Sequence, residues 1–560
     1  MQLVGASWRR FRSADGFVSA LILAVGLLIV VLPVLIVAFA ALERLLGENG
    51  SLATFFVKRM SLGRPTAAIL ADSLTPTEDT ATAGALLGAV TFLFGGGSTI
   101  SVVMVAYDRA ISGHHPGAPR ASIWRGLAWF VLAGGFVLAA FLPASTTGRF
   151  RPPPALAAMS AFGQATAFFF VTALWLPRRR PKWSAALAGA VFAGGCTALV
   201  VVTARLTFAP LLGALHFAFG AFGVALMLGV LFYVFALVTM AAPCVTAAWM
   251  ERGGHDPILR RRDRRAAPEQ PRGAEHWVRF SPGVVQAAFK WVAGSGFPRL
   301  SRTLGWRVYQ RYRDVDGGNL AAALALTAFM VLLPASVTLV ALMAPLRRAQ
   351  TNFSGVLTNL LFLRGDDTAA AMLNKTVAPD QHSANWWGLA LLTIVPFLPL
   401  LMVVALRVFN RPWAPDQDDV YNARRGIIWV LVSGLLLVVT LLPLISARGG
   451  LFKIVPLSLR VFLFMFFTSW LLTLRGPLMR ARLGAVAIGT VLFLGVSMVT
   501  GYALGTWLAW YESLLGRIGT PILIITWASA LAVTVVLVPS IGAVVAERRA
   551  SRAAETSAPS

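Results

Sequence analysis

Residues 12–33 read RSADGFVSALILAVGLLIVVLP, and residues 313–334 read RDVDGGNLAAALALTAFMVLLP. Each opens on an arginine, Arg12 or Arg313, and reaches an Asp-Gly pair, Asp15-Gly16 or Asp316-Gly317. Each then runs through apolar residues to Leu-Pro, Leu32-Pro33 or Leu333-Pro334. The apolar character continues past the proline to about residue 42 in the first passage and about residue 345 in the second. A run of about 20 apolar residues is long enough to cross a bilayer as a helix. Backbone polar groups cannot stay unpaired in lipid, so such a run is expected to be helical throughout. One passage gives a membrane helix; the recurrence of its punctuation gives a repeat.

The repeat extends outward from these two passages. Arg125-Gly126 and Trp129 parallel Arg425-Gly426 and Trp429, followed by Gly134 and Gly434 and then Leu142-Pro143 and Leu442-Pro443. Farther on, Gly220 and Gly223 parallel Gly516 and Gly519, Pro243 parallels Pro539, and Glu251-Arg252 parallels Glu547-Arg548. Apolar stretches match one another readily by chance. Glycine, proline, tryptophan and charge at matched spacing do not.

Composition agrees with a chain that lives in lipid. Of 560 residues, 57% are hydrophobic and 13% charged, which leaves too little polar surface for a soluble protein of this length. The two cysteines, Cys196 and Cys244, both fall in apolar stretches and offer neither a disulfide framework nor metal-ligand spacing. The net charge of +26 raises the question of nucleic acid. Its arginines cluster beside apolar runs and in particular loops, which the positive-inside rule and anionic headgroups account for without nucleic acid.

Twelve runs qualify as spans, at about 17–42, 84–107, 125–145, 156–176, 184–208 and 221–247, then about 318–345, 385–409, 425–446, 455–474, 483–509 and 519–545. Glycine and threonine dilute the fifth and eleventh. The first follows Arg9, Arg10 and Arg12 but is too long for a signal peptide, and its twin lies in mid-chain, so it reads as a retained anchor. Arg109, Arg120 and Arg125, Arg178 to Arg180 with Lys182, and the basic segment 251–317 all fall on one side if both termini are cytoplasmic. The predicted fold is therefore all-α: a polytopic transmembrane bundle of about 12 spans, arranged as two parallel six-helix repeats. The first unit takes residues 1–250 and the second 306–550, joined by a basic linker at 251–305 and followed by a small, polar, disordered tail at 551–560. The two units would form a pseudo-dimer within one chain.

In the second unit, Asp316-Gly317-Gly318-Asn319 with Leu333-Pro334, then Asn410-Arg411-Pro412-Trp413, then Tyr511, Gly516, Gly519, Trp527, Gly542-Ala543 and Glu547-Arg548, resemble the YihY/BrkB family of bacterial inner-membrane proteins. The resemblance covers about 301–550. In the first unit Asp108-Arg109 stands where Asn410-Arg411 stands, with no tryptophan close behind, so that unit looks like a diverged copy. The resemblance implies a six-helix inner-membrane fold. Members have variously been described as ribonucleases or linked to serum resistance, envelope lipid traffic and ion exchange.

Catalysis finds little support. The histidines (His114, His115, His216, His255, His276 and His382) lie in loops or near span ends, and adjacent His114-His115 point apart on regular structure. No convergent carboxylates or activated nucleophile emerge, so the chain reads as no enzyme, with no metal and no cofactor. Buried ionisable residues, the usual mark of a transport path, are nearly absent from the spans by this reading.

Helix breakage is a better pointer, because interrupted helices at matched places in two halves often build a midplane site. Thr91 pairs with Thr393 and Gly97 with Pro399; the first copy is interrupted by Gly95, Gly96 and Gly97, the second by Pro396 and Pro399. Freed carbonyls and the threonine hydroxyls could line a polar cavity there; kinks that only improve helix packing are the plainer reading. Asp108, Arg109, Asn410 and Arg411 are candidates for a cytoplasmic vestibule, or else serve as helix-end caps and anchors. Trp8 to Arg12 and Trp306 to Arg313 interleave aromatics with arginines directly before a span, which suits helices in the headgroup layer. The expected partners are thus membrane lipids, with anionic headgroups at the cytoplasmic face.

The reading that follows is a non-enzymatic protein of the bacterial inner membrane that moves, or helps to position, a lipid or small solute. The alternative is an envelope scaffold that binds anionic lipid or partner proteins without transporting anything.

Overall fold

The computed structural model describes residues 2–31, 68–69, 73, 97–112, 129, 154–177, 180–252, 303–343, 386–413, 424–433, 454–473 and 479–557. They fall into two compact units, one of Met1–Gly213 with Leu226–Gly296, the other of Ala214–Ala225 with Phe297–Ser560. The described residues are overwhelmingly helical, and none is in a strand.

The first unit opens with α1 (Gln2–Ser13) and α2 (Gly16–Gly26), which meet at a bend of 64°. Past α2 the chain passes into a π turn, Leu27–Val31, a loosening of the helix just ahead of Pro33 in the sequence. Helix α3 (Gly97–Ser112) packs on α2. Helices α4 (Pro154–Trp175), α5 (Trp183–Phe219) and α6 (Ala221–Arg252) follow. Small residues let their backbones approach closely. A Cβ on Gly194 of α5 would sit 2.9 Å from the Phe162 carbonyl of α4, and one on Gly189 would sit 2.7 Å from the Ala242 carbonyl of α6.

The second unit contains α7 (Leu304–Asp314), α8 (Gly317–Met343), α9 (Trp386–Asn410), α10 (Ile454–Leu472), α11 (Met479–Leu515) and α12 (Gly519–Ser557). A single 3-10 turn, Gly516–Ile518, joins α11 to α12 as a helical hairpin. Helix α8 packs on α9 and α12, α10 packs on α11, and α7 packs on α12. Val308, Met465, Val486, Val538 and Ile541 form the core where α7, α10, α11 and α12 meet.

Six helices among the described residues are long and apolar enough to cross a membrane. They fall at the fourth, fifth, sixth, seventh, eleventh and twelfth of the expected spans. The two that glycine and threonine dilute are continuous 37-residue helices, α5 and α11. Shorter apolar helices stand at Ile394–Asn410 and Ser458–Leu472. The expected spans near 125–145 and 425–446 lie mostly outside the described residues, as does the linker 251–305 apart from its ends. Helix α12 runs on to Ser557, past the point where the composition turns small and polar.

Burial is lowest where lipid would be the neighbour. In an 18-residue apolar stretch of Arg482–Thr500 only 28% of residues are buried, against 67% in one of Ala221–Arg252. Leu187, Val191, Leu199 and Leu206 on α5 and Val491, Met498 and Val499 on α11 are exposed. So broad an apolar surface is untenable in water and ordinary in a bilayer. The molecule is an all-α bundle of the multi-pass membrane type.

Candidate functional site

The opening motif of each unit folds into the same corner. Asp15 (φ 56°) and Asp316 (φ 57°) are the only non-glycine residues with positive φ among those described. Aspartate tolerates the left-handed region better than most side chains. At the first corner Asp15 N donates to Arg12 O at 3.2 Å and Ser19 N to Asp15 O at 2.9 Å. At the second, Asp316 N donates to Arg313 O at 3.0 Å and Leu320 N to Asp316 O at 3.1 Å. The following glycine is dictated by packing, since a Cβ on Gly16 would overlap the Phe11 ring and one on Gly317 would overlap the Tyr312 ring. Burial pushes the Tyr312 phenol up to about 12, with Tyr309 adding to the shift.

This corner aims an arginine across the unit. Arg10 forms an ion pair with Glu251 at the end of α6, and its Nη1 donates to Ala110 O of α3 at 2.7 Å. Arg311 forms an ion pair with Glu547 of α12 at 2.7 Å, and its Nε donates to Pro412 O beyond α9 at 2.8 Å. In each unit one guanidinium therefore ties the entry helix, the end of the second-span helix and the last helix together. The first latch is the deeper, with Arg10 buried and the Glu547 carboxylate of the second well exposed. Two further contacts recur. Trp129 Nε1 donates to Thr172 Oγ1 at 3.0 Å, and Trp429 Nε1 donates to Thr468 Oγ1 at 3.2 Å. Gly220 (φ 59°) and Gly516 (φ 69°) both turn the chain into the last helix.

The candidate path residues are placed as follows. Thr91, Gly95 and Gly96 lie outside the described residues, and Gly97 begins α3. Thr393 is within α9, which runs through Pro396 and Pro399 as one helix with both prolines exposed. Each proline lacks an N–H, so the carbonyls of Leu392 and Val395 lose their partner one turn on. Asp108 is buried and Arg109 half-buried at the end of α3. Asn410 Nδ2 donates to Leu406 O at 2.7 Å and to Leu472 O at 2.8 Å, which binds the end of α9 to the end of α10. Arg411 N donates to Arg407 O at 3.0 Å. Both cysteines are free, and Cys244 donates to Met240 O at 3.3 Å.

Four ionisable side chains just outside the expected spans are nevertheless buried. Arg10, Asp108, Arg482 and Glu512 are all buried. Each lies at or near the end of an apolar run, and hydropathy along the sequence does not register burial there. The latch arginines had a signal of their own. Arg10-Phe11-Arg12 and Arg311-Tyr312-Arg313 stand at the same distance before Asp-Gly.

A family comparison adds to this geometry. Residues 7–266 match the family model described as Virulence factor BrkB. The match covers the second half of α1 and all of α2 to α6, and with them the Arg10 latch and the Asp15-Gly16 corner. It falls on the unit whose Asp108-Arg109 departs from the motif, not on 301–550, where the motif resemblance is carried. The BrkB match and the apolar helices together support a multi-pass membrane protein. No curated protein and no solved structure matches the chain.

Proposed function

We propose that the chain is a non-enzymatic inner-membrane protein, with both termini cytoplasmic, that moves or helps to position a lipid or small solute. It is read as two copies of one unit, the first of them in the BrkB-matching segment. The observation that carries this reading is the recurring latch. Arg10 with Glu251 and Ala110 O, and Arg311 with Glu547 and Pro412 O, fasten each unit at its basic end. Away from that end, helices carry proline inside them, Pro334 in α8 and Pro396 and Pro399 in α9. A unit held at one end and weakened along its helices can rock without coming apart.

The test is reconstitution into liposomes with assays for lipid scrambling, ion flux and solute uptake. At least one flux is expected, reduced by Pro399→Leu or Gly97→Leu. No flux in any assay, with both substitutions harmless in cells, overturns the reading. The scaffold alternative draws on α1 and α7. Val4 and Trp8 are exposed on α1 and Tyr309 on α7, beside arginines, which suits helices lying on a membrane surface. Membrane-surface binding without any flux favours that alternative.

A further inference from the structure

In the second unit two nitrogen donors, Arg482 Nε and Trp413 Nε1, are buried with no hydrogen-bond partner among the described residues. Arg482 is 9% exposed and stands in the first turn of α11. A helix start carries backbone N–H groups without intrahelical acceptors and the positive end of the dipole, here that of a 37-residue helix. Trp413 closes the turn after α9, its N donating to Asn410 O at 3.0 Å. Its ring lies over Gly542 of α12. A Cβ there would be 3.1 Å from the ring's Cζ2 and 3.6 Å from the Cβ of Ala485. Ala485 is three residues beyond Arg482, on the same face of α11. The indole, the guanidinium and the start of α11 therefore share one end of the unit. Arg311 fixes the approach through its bond to Pro412 O, directly before Trp413.

A guanidinium N–H taken out of water without an acceptor, here Arg482 Nε, is costly. No described carboxylate pairs with Arg482. The arrangement has what an oxyanion requires: a fork of charged N–H donors, an indole N–H, and a helix N-terminus. The first unit lacks it. At the corresponding places, the fourth residue of α5 and the residue after Ala110, stand Ala186 and Ile111.

We propose that Arg482, Trp413 and the first turn of α11 form an anion site for a phosphate group, carried by a lipid headgroup or free. It draws on the reading that this basic end meets anionic headgroups, yet it concerns binding alone. Failure of every flux assay leaves it standing, and its own failure leaves transport open.

The test uses the full-length protein, stripped of lipid in detergent, with its thermal midpoint followed as ligand is added. A ligand that binds the folded state raises the midpoint. Inorganic phosphate and phosphatidylglycerol are titrated separately. A rise with both assigns the site to phosphate in general, and a rise with phosphatidylglycerol alone assigns it to a lipid headgroup. In either case Arg482→Gln is expected to weaken binding at least about tenfold, as loss of a charge-assisted bond does. Trp413→Phe keeps the ring over Gly542 and removes only the N–H, so it is expected to weaken binding about threefold. No rise with either ligand, or equal rises in both variants and the wild type, overturns the proposal. So does a ligand-free midpoint several degrees lower in Arg482→Gln, because the guanidinium would then already be satisfied within the fold.

Discussion

Arg10 and Glu251 lie 241 residues apart in sequence and form an ion pair that joins the first helix of the chain to the end of α6. The arginine is buried, and its second partner, Ala110 O, brings in α3. Removing one partner of a buried pair strands the other, at a cost of about 3–5 kcal/mol. Glu251 is partly open to solvent, so the lower part of that range applies. Arg10→Ala is expected to lower the stability of the first unit by about 3 kcal/mol, measured by thermal or denaturant unfolding in detergent. A loss below about 0.5 kcal/mol would show that the pair contributes nothing beyond what a surface pair does.

Arg311 and Glu547 provide the internal comparison. The carboxylate there is exposed, and solvent screens an exposed pair to about 0–1 kcal/mol. Glu547→Ala is expected to cost far less than Glu251→Ala. The comparison is made in one protein under one condition, so detergent effects cancel. Equal losses at the two sites would contradict the burial difference.

The corner glycines give a test of packing. An added methyl at Gly16 overlaps the Phe11 ring, and one at Gly317 overlaps Tyr312. Overpacking of this kind costs about 1–3 kcal/mol. Gly16→Ala and Gly317→Ala are each expected to destabilise by that amount. The pairing of Gly16→Ala with Phe11→Leu should recover part of the loss. Double substitutions that lose the two costs additively would show that the ring is not the obstacle.

The outline of this fold was legible because lipid simplifies the code. Apolar length alone placed α4, α5, α6, α8, α11 and α12, and the matched Asp-Gly pairs and tryptophans marked positions that turn out to make the same contacts. The latch was less legible. Its arginine is one of three at each entry helix, and its carboxylate lies more than two hundred residues away. The matched Arg-aromatic-Arg spacing before Asp-Gly sets Arg10 and Arg12 apart from Arg9, and nothing local distinguishes those two. Direction is set by the left-handed turn at Asp15, which only the folded chain displays. Arg482 was hidden in another way: it sits at the head of an apolar run, where an arginine is expected to reach water, and the cover supplied by neighbouring helices comes from distant sequence.

The two buried indole bonds are expected to contribute modestly and equally. Trp129 to Thr172 and Trp429 to Thr468 each join a hydroxyl to an indole N–H inside the bundle. A net hydrogen bond is worth about 0.5–1.5 kcal/mol, and stranding the buried N–H adds to the loss. Thr172→Val and Thr468→Val are expected to cost about 1–2 kcal/mol each by unfolding in detergent. Tryptophan emission should shift in both variants, since the indole loses its partner. An unchanged spectrum and midpoint would show that these bonds are not formed in the folded protein.

Tyr312 yields a prediction with a defined pH window. Its ring fills the space left by Gly317, and its hydroxyl reaches the vicinity of Gly318. Burial disfavours the phenolate and holds the group up to about 12, against an ordinary value of 10.0. The folded value is the higher one. The stabilising contribution is therefore fully present below pH 10 and is lost as pH rises towards 12, because the unfolded chain releases its proton first. Tyr312→Phe cannot ionise and should not show that loss. The difference between wild type and variant is read twice, as tyrosinate absorbance and as unfolding midpoint. The absorbance difference should titrate near 12, and the midpoint of the wild type should fall relative to the variant across the same interval. A difference spectrum centred at pH 10 would place the phenol in open solvent and remove the packing reason for the glycine that follows Asp316.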